Sequence, residues 1–190
     1  MSEDDFWALI NSSISKGTKA ERVHWLQCRL VETSPEEIID FHSWMFLTLQ
    51  RAETWNLIHA AGRLFWIPSE ESFVYFARWL IGLGREAFES VVANPDNLID
   101  LDEVRDLIQY RRSGGTFSNE LYPEFEMLGY VAIDAYVQVA KKDARSLWEA
   151  LEAKGIDVFG SFNPKGEPWD DLEEAQWRLP RIHQYLAEME

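Results

Sequence analysis

A chain of 190 residues, 46% hydrophobic and 27% charged, has enough apolar surface for one buried core and is neither disordered nor collagenous in composition. Eighteen Lys and Arg against 33 Asp and Glu leave a formal charge of −15, which repels phosphate backbones and anionic lipid at long range and excludes nucleic acid and membrane from the expected partners. The single cysteine, Cys28, rules out an internal disulfide and a multi-cysteine metal site, and it reads as a small buried apolar residue in a reducing compartment.

Apolar residues recur at helical spacing and period-two alternation is nearly absent. The pattern predicts an all-α fold, a single helical domain over residues 1–190 with about eight to ten helices around a central hydrophobic helix. The N-terminus, Met1-Ser2-Glu3-Asp4-Asp5, is acidic where a secretory signal is basic and then apolar. No apolar run approaches the ~18 residues of a membrane span, so a cytoplasmic location is the default expectation.

The first helix opens at Ser2, answered by Asp5 three residues on, and carries Phe6, Trp7, Ile10 and Ile14 until Gly17. A second runs from about Thr18 to Glu32 with Val23, Leu26 and Leu30 on one stripe. The third has the strongest start in the chain, with Ser34 as N-cap, Pro35 in the first helical position and Glu37 closing a capping box. Ile38, Phe41, Met45 and Leu49 follow it.

A fourth helix, about Glu53 to Trp66, ends before Pro68, and Ser69-Glu70-Glu71-Ser72 caps a fifth with Phe73, Phe76, Trp79 and Leu80. Gly82 and Gly84 predict a bend, or a break before a helix from Arg85 to Val92, and Asn94-Pro95-Asp96 reads as a turn. Leu101 to Arg111 is helical and Ser113-Gly114-Gly115-Thr116 is a flexible loop. From Pro123, the residues Phe125, Leu128, Val131, Ile133, Ala135, Tyr136 and Val139 spread over a broad arc and predict the buried central helix. Ala144 to Lys154 is a short amphipathic helix ended by Gly155, and Gly160 to Trp169 is a loop. Asp170 or Asp171 caps a last helical segment that must kink or restart at Pro180.

Four histidines stand apart, except that His24 and Cys28 share a helix face at i, i+4, which is half a metal site at most. No H-E-x-x-H, Gly-rich phosphate loop or G-x-S-x-G elbow occurs, and Gly82-Leu83-Gly84 lacks the strand and third glycine of a dinucleotide site. No cofactor, metal or catalytic residue is assigned. Carboxylates keep one catalytic option open, since Glu120 and Glu124 are spaced i, i+4 and Asp134 sits in the apolar helix, where inward burial would raise its pKa. The plainer reading is solvated or hydrogen-bonded charge. Nine tryptophans exceed ordinary core use, so Trp55, Trp66 and Trp79 beside acidic groups are candidate docking anchors, with core packing as the alternative for any one ring.

Several stretches carry a family likeness: Asp5-Phe6-Trp7-Ala8-Leu9-Ile10, Ser34-Pro35-Glu36-Glu37, Phe73 through Glu86, and Asn94-Pro95-Asp96-Asn97-Leu98. So do Tyr130 through Tyr136, and Trp169-Asp170-Asp171-Leu172 up to Leu179-Pro180-Arg181. Together they resemble the bacterial domain-of-unknown-function family numbered 4240. Phe65-Trp66-Ile67-Pro68-Ser69 departs from the Gly- and Cys-containing turn expected there. The resemblance implies no reaction and no catalytic position. Within its densest stretch, Arg78 and Arg85 lie about two helical turns apart and could clamp a carboxylate or phosphate, or pair with Glu86, Glu89 or Asp96 to hold helices together.

Small, acidic, helical and free of catalytic motifs, the chain reads as a non-enzymatic protein-binding domain. The expected partner is a protein with a basic surface, as for an immunity protein that covers a toxin's basic cleft. The alternatives are an enzyme working through Asp134 or the arginine pair, and a regulatory or scaffold domain.

Overall fold

The first three helices start the same way. Ser2, Thr18 and Ser34 each accept the backbone N–H of the residue three positions on, and Asp5, Glu21 and Glu37 reach back to the cap, giving three capping boxes. In the computed structural model, which describes residues 1–67, 69–158, 161–169 and 172–188, these caps launch α1 (Glu3–Ile14), α2 (Lys19–Leu30) and α3 (Pro35–Ala52). Then come α4 (Trp55–Phe65), α5 (Glu70–Gly82), α6 (Arg85–Ala93), a 3-10 turn (Pro95–Asp100), α7 (Asp102–Arg112), a second 3-10 turn (Glu126–Gly129), α8 (Val131–Ala140), α9 (Ala144–Ala153), α10 (Leu172–Arg178) and α11 (Pro180–Ala187). The fold is all-α. Among the described residues the only extended pairing is one parallel bridge, Thr54 to Lys165. Pro68, Gly160 and the candidate caps Asp170 and Asp171 lie outside the described residues.

The glycine break falls where the sequence puts it. Gly84 has φ +104°, and a Cβ there would lie 2.8 Å from the Asn11 Oδ1. That Asn11 oxygen accepts the Arg85 N–H at 3.1 Å, so α1 caps α6 in place of a local side chain. Pro180 likewise ends α10 and opens α11. The cap of α11 is remote: buried Asp96 accepts the N–H of Arg181 and of Ile182, each at 3.1 Å. With Asn94 binding the Asp96 N–H, the Asn94-Pro95-Asp96 turn becomes the anchor of the C-terminal helix.

The helix expected from Pro123 is shorter. Residues through Phe125 are irregular, and α8 begins only at Val131. Phe125 donates its N–H to the Tyr75 carbonyl at 2.9 Å and lays its ring on Gly82. These tertiary contacts outweigh local helix propensity. α8 packs on α2 and α3 through Val131, Ala132, Ala135 and Tyr136, and leaves Asp134, Val137 and Gln138 exposed. α5 is enclosed more fully, burying Phe73, Phe76, Ala77, Trp79, Leu80 and Ile81. Buried side chains from α1 to α11 join in one hydrophobic cluster, each large one contributing about 1.5–3 kcal/mol of transfer free energy.

Candidate functional site

α7 has two faces. Val104, Leu107 and Ile108 are buried, while Glu103, Asp106 and Tyr110 stand on an exposed stripe at i, i+3 and i+7. Across from this stripe, residues 113–122 fold back. The Tyr110 ring stacks on Phe117 at 6.0 Å and 27°, and the Gly115 N–H bonds the Tyr110 carbonyl at 3.1 Å. Lys19 secures the far end of the segment: its ammonium donates to the carbonyls of Asn119 (2.9 Å) and Tyr122 (2.7 Å), and its own N–H donates to the Glu120 carboxylate at 2.8 Å.

A cleft of about 610 Å³ opens between these walls, with Trp79, Leu107, Tyr110 and Leu121 as its apolar surface and Glu103, Asp106 and Glu120 as its charges. Among the described residues no lysine, arginine or histidine lines it, and the Glu120 charge acts on Lys19 and Arg22 behind it. Trp79 is 7% exposed and packs on Phe65 and Phe76, whereas Tyr110 and Leu121 are more than two-fifths exposed. An acidic rim over aromatic surface suits a cationic side chain, which gains Coulomb attraction from the carboxylates and cation–π contact from the rings.

The structure disperses the other candidate site residues. Trp55 is half-buried with its ring 6.1 Å from His59, Trp66 is 74% exposed at the end of α4, and no ring contact joins either to Trp79. Arg78 and Arg85 form no clamp, because the break at Gly84 puts them on different helices. Arg85 pairs with Asp4 of α1 at 2.6 Å, not with Glu86, Glu89 or Asp96. Arg78 lies against Gly129 and donates to the Glu126 carbonyl at 3.3 Å. Asp134 does not face inward. It is exposed and accepts a hydrogen bond from Gln27 at 2.8 Å, tying α8 to α2.

Glu120 and Glu124 share no helix face, since that segment is not helical. Burial raises the Glu124 pKa, against the opposing charge of Lys19. Cys28 is half-buried, with its sulfur 3.6 Å from the His24 Nε2. Among the described residues, no three His, Cys, Asp or Glu side chains gather as a metal site requires, and no helix is long and apolar enough to cross a membrane. Reading the sequence left out Glu103, Asp106 and Tyr110. Their i, i+3, i+7 spacing was the available signal, but only the fold of 113–122 makes that stripe one wall of a cleft.

Fold and cleft together define the class, an all-helical protein with an acidic, ring-lined cleft beside α7. The model of DUF4240, a family of proteins of unknown function, matches residues 1–138. The chain belongs to that family, and the stretch from Trp169 to Arg181 lies beyond the matched region. No curated protein and no solved structure matches the chain.

Proposed function

We propose that this chain is a non-enzymatic binding domain whose acidic cleft takes a basic segment of a partner protein. The observation that carries the reading is the lining of the cleft: three carboxylates and two aromatic rings, with no cationic side chain among the described lining residues. The formal charge of −15 adds long-range steering toward a basic partner, an effect that fades as salt shortens the Debye length to about 8 Å at physiological ionic strength. An immunity protein covering the basic cleft of a toxin is the specific form of this reading that we favour.

The test is co-expression with the products of genes adjacent to its own, followed by titration calorimetry with any basic partner recovered. The expected result is a complex that weakens at least tenfold in the Glu103→Lys/Asp106→Lys variant, with a wild-type affinity that falls as salt rises. A complex indifferent to both changes would remove the cleft from the interface and refute the reading.

A further inference from the structure

We propose that a second cavity, walled by α3, α5, residues 157–158 and the segment at 161–165, binds a small organic carboxylate with an apolar body, held by Arg78. The cavity is about 360 Å³, within the range of small-molecule sites. Its walls include Phe46 and Gln50 of α3, Val74 and Arg78 of α5, and Asn163 and Lys165 of the later segment.

Arg78 is the reason to look there. Arg22 donates to the Gly82 carbonyl and the Ser13 hydroxyl, Arg51 to Glu89, and Arg85 to Asp4. Arg78 has no carboxylate within ion-pairing distance among the described residues. Its one hydrogen bond is the 3.3 Å contact to Glu126, and its buried Nε has no partner. Gly129 sets its position, since a Cβ there would come within 2.4 Å of the guanidinium carbon. Its field also reaches α3: His42, buried one turn from Phe46, is held uncharged by burial and then by the Arg78 charge, its pKa down to about 3. The guanidinium also lies 5.8 Å from the Tyr75 ring and feels the Glu126 charge, and a carboxylate adds what neither supplies, two parallel N–H···O bonds.

The wall carries three other charged side chains, Glu53, Asp157 and Lys165. Lys165 is placed by a backbone latch, with its N–H on the Glu53 carbonyl at 2.8 Å and its carbonyl accepting the Trp55 N–H at 3.1 Å. The Glu53 carboxyl, raised in pKa by burial, has Lys165 as its opposing charge. Asp157, also in the wall, makes an interaction of its own. Arg78 is the cation of the wall whose buried nitrogen has no partner. The Gln50 and Asn163 amides can add hydrogen bonds, and Phe46 and Val74 offer apolar contact. The wall from Asn163 to Lys165 lies beyond the family match at 1–138, so this part of the chain closes a site whose arginine belongs to the family region.

The experiment uses phenylacetate and its uncharged isostere phenylacetamide as probes of the full-length protein by nitrogen-15 NMR. Phenylacetate at millimolar concentration is expected to shift the side-chain amides of Gln50 and Asn163 to saturation, with the amide at least tenfold weaker. Arg78→Lys, which keeps charge but loses the fork, should weaken phenylacetate at least tenfold. Should that variant fail to fold, Val74→Phe fills the cavity with Arg78 in place and should abolish the shifts. Equal binding of acid and amide, shifts at Trp79 and Tyr110 instead, binding that survives Val74→Phe, or no binding by the folded wild type would each overturn the proposal. None of these results bears on the basic partner of the Trp79 cleft, which is tested separately.

Discussion

Asp96 offers a direct measure of how the C-terminal helix is held. Its two carboxylate oxygens accept the Arg181 and Ile182 N–H groups at 3.1 Å each, and the Ile182 bond is buried. Replacing Asp96 by Ala leaves the Ile182 donor unsatisfied, a cost of about 1.5–3 kcal/mol for a charge-assisted bond, while the less buried Arg181 donor recovers water and loses about 1. The expected total is about 3 kcal/mol, or roughly a hundredfold in the closing equilibrium of α11. Native-state hydrogen exchange of Ile182 through Tyr185 should report it as a hundredfold loss of protection. Asp96→Asn keeps one acceptor and should lose about half the free energy. Protection unchanged within a factor of about three in Asp96→Ala would mean that packing of Ile182 alone holds the helix and that the remote cap is incidental.

Two further outcomes follow from the geometry. Trp66 occupies the left-handed region at φ 56°, a cost of about 1 kcal/mol that glycine does not bear, so Trp66→Gly should raise the urea midpoint even as it removes an exposed ring. A lower midpoint would show that the ring packs favourably in solution. Asp40 receives hydrogen bonds from Lys154 and from the Met1 ammonium, and although burial pushes its pKa up, these cations outweigh it and leave the pKa lowered. A carboxylate with a folded pKa below its unfolded one stabilises the protein fully above the unfolded value and loses that contribution as pH falls through the folded one. Stability should therefore drop below about pH 4, and the drop should be shallower in Asp40→Asn; equal slopes in acid titrations followed by circular dichroism would refute this role.

Local chemistry was legible from the residues alone. The Ser2, Ser34 and Ser69 helix starts, the Gly84 break and the Pro180 restart each follow from groups within a few positions of one another, where backbone geometry leaves little choice. The all-α class is equally local, since it rests on the 3.6-residue period. Partner choice is not local. Asn11 caps α6 from 74 positions away, Asp96 caps α11 from 86, and Gln27 holds Asp134 from 107. Spacing along one helix places Arg78 and Arg85 in line, but the turn between them sends one guanidinium to α1 and the other against Gly129. The same holds for the tryptophans, three similar rings in the sequence that become a cleft surface, a half-buried neighbour of His59 and a solvent-facing side chain. Sequence determined most helix starts and ends, because those signals lie in neighbouring atoms; the packing of helices decided where α8 begins and which charges and rings meet, because that depends on distances between segments far apart in the chain.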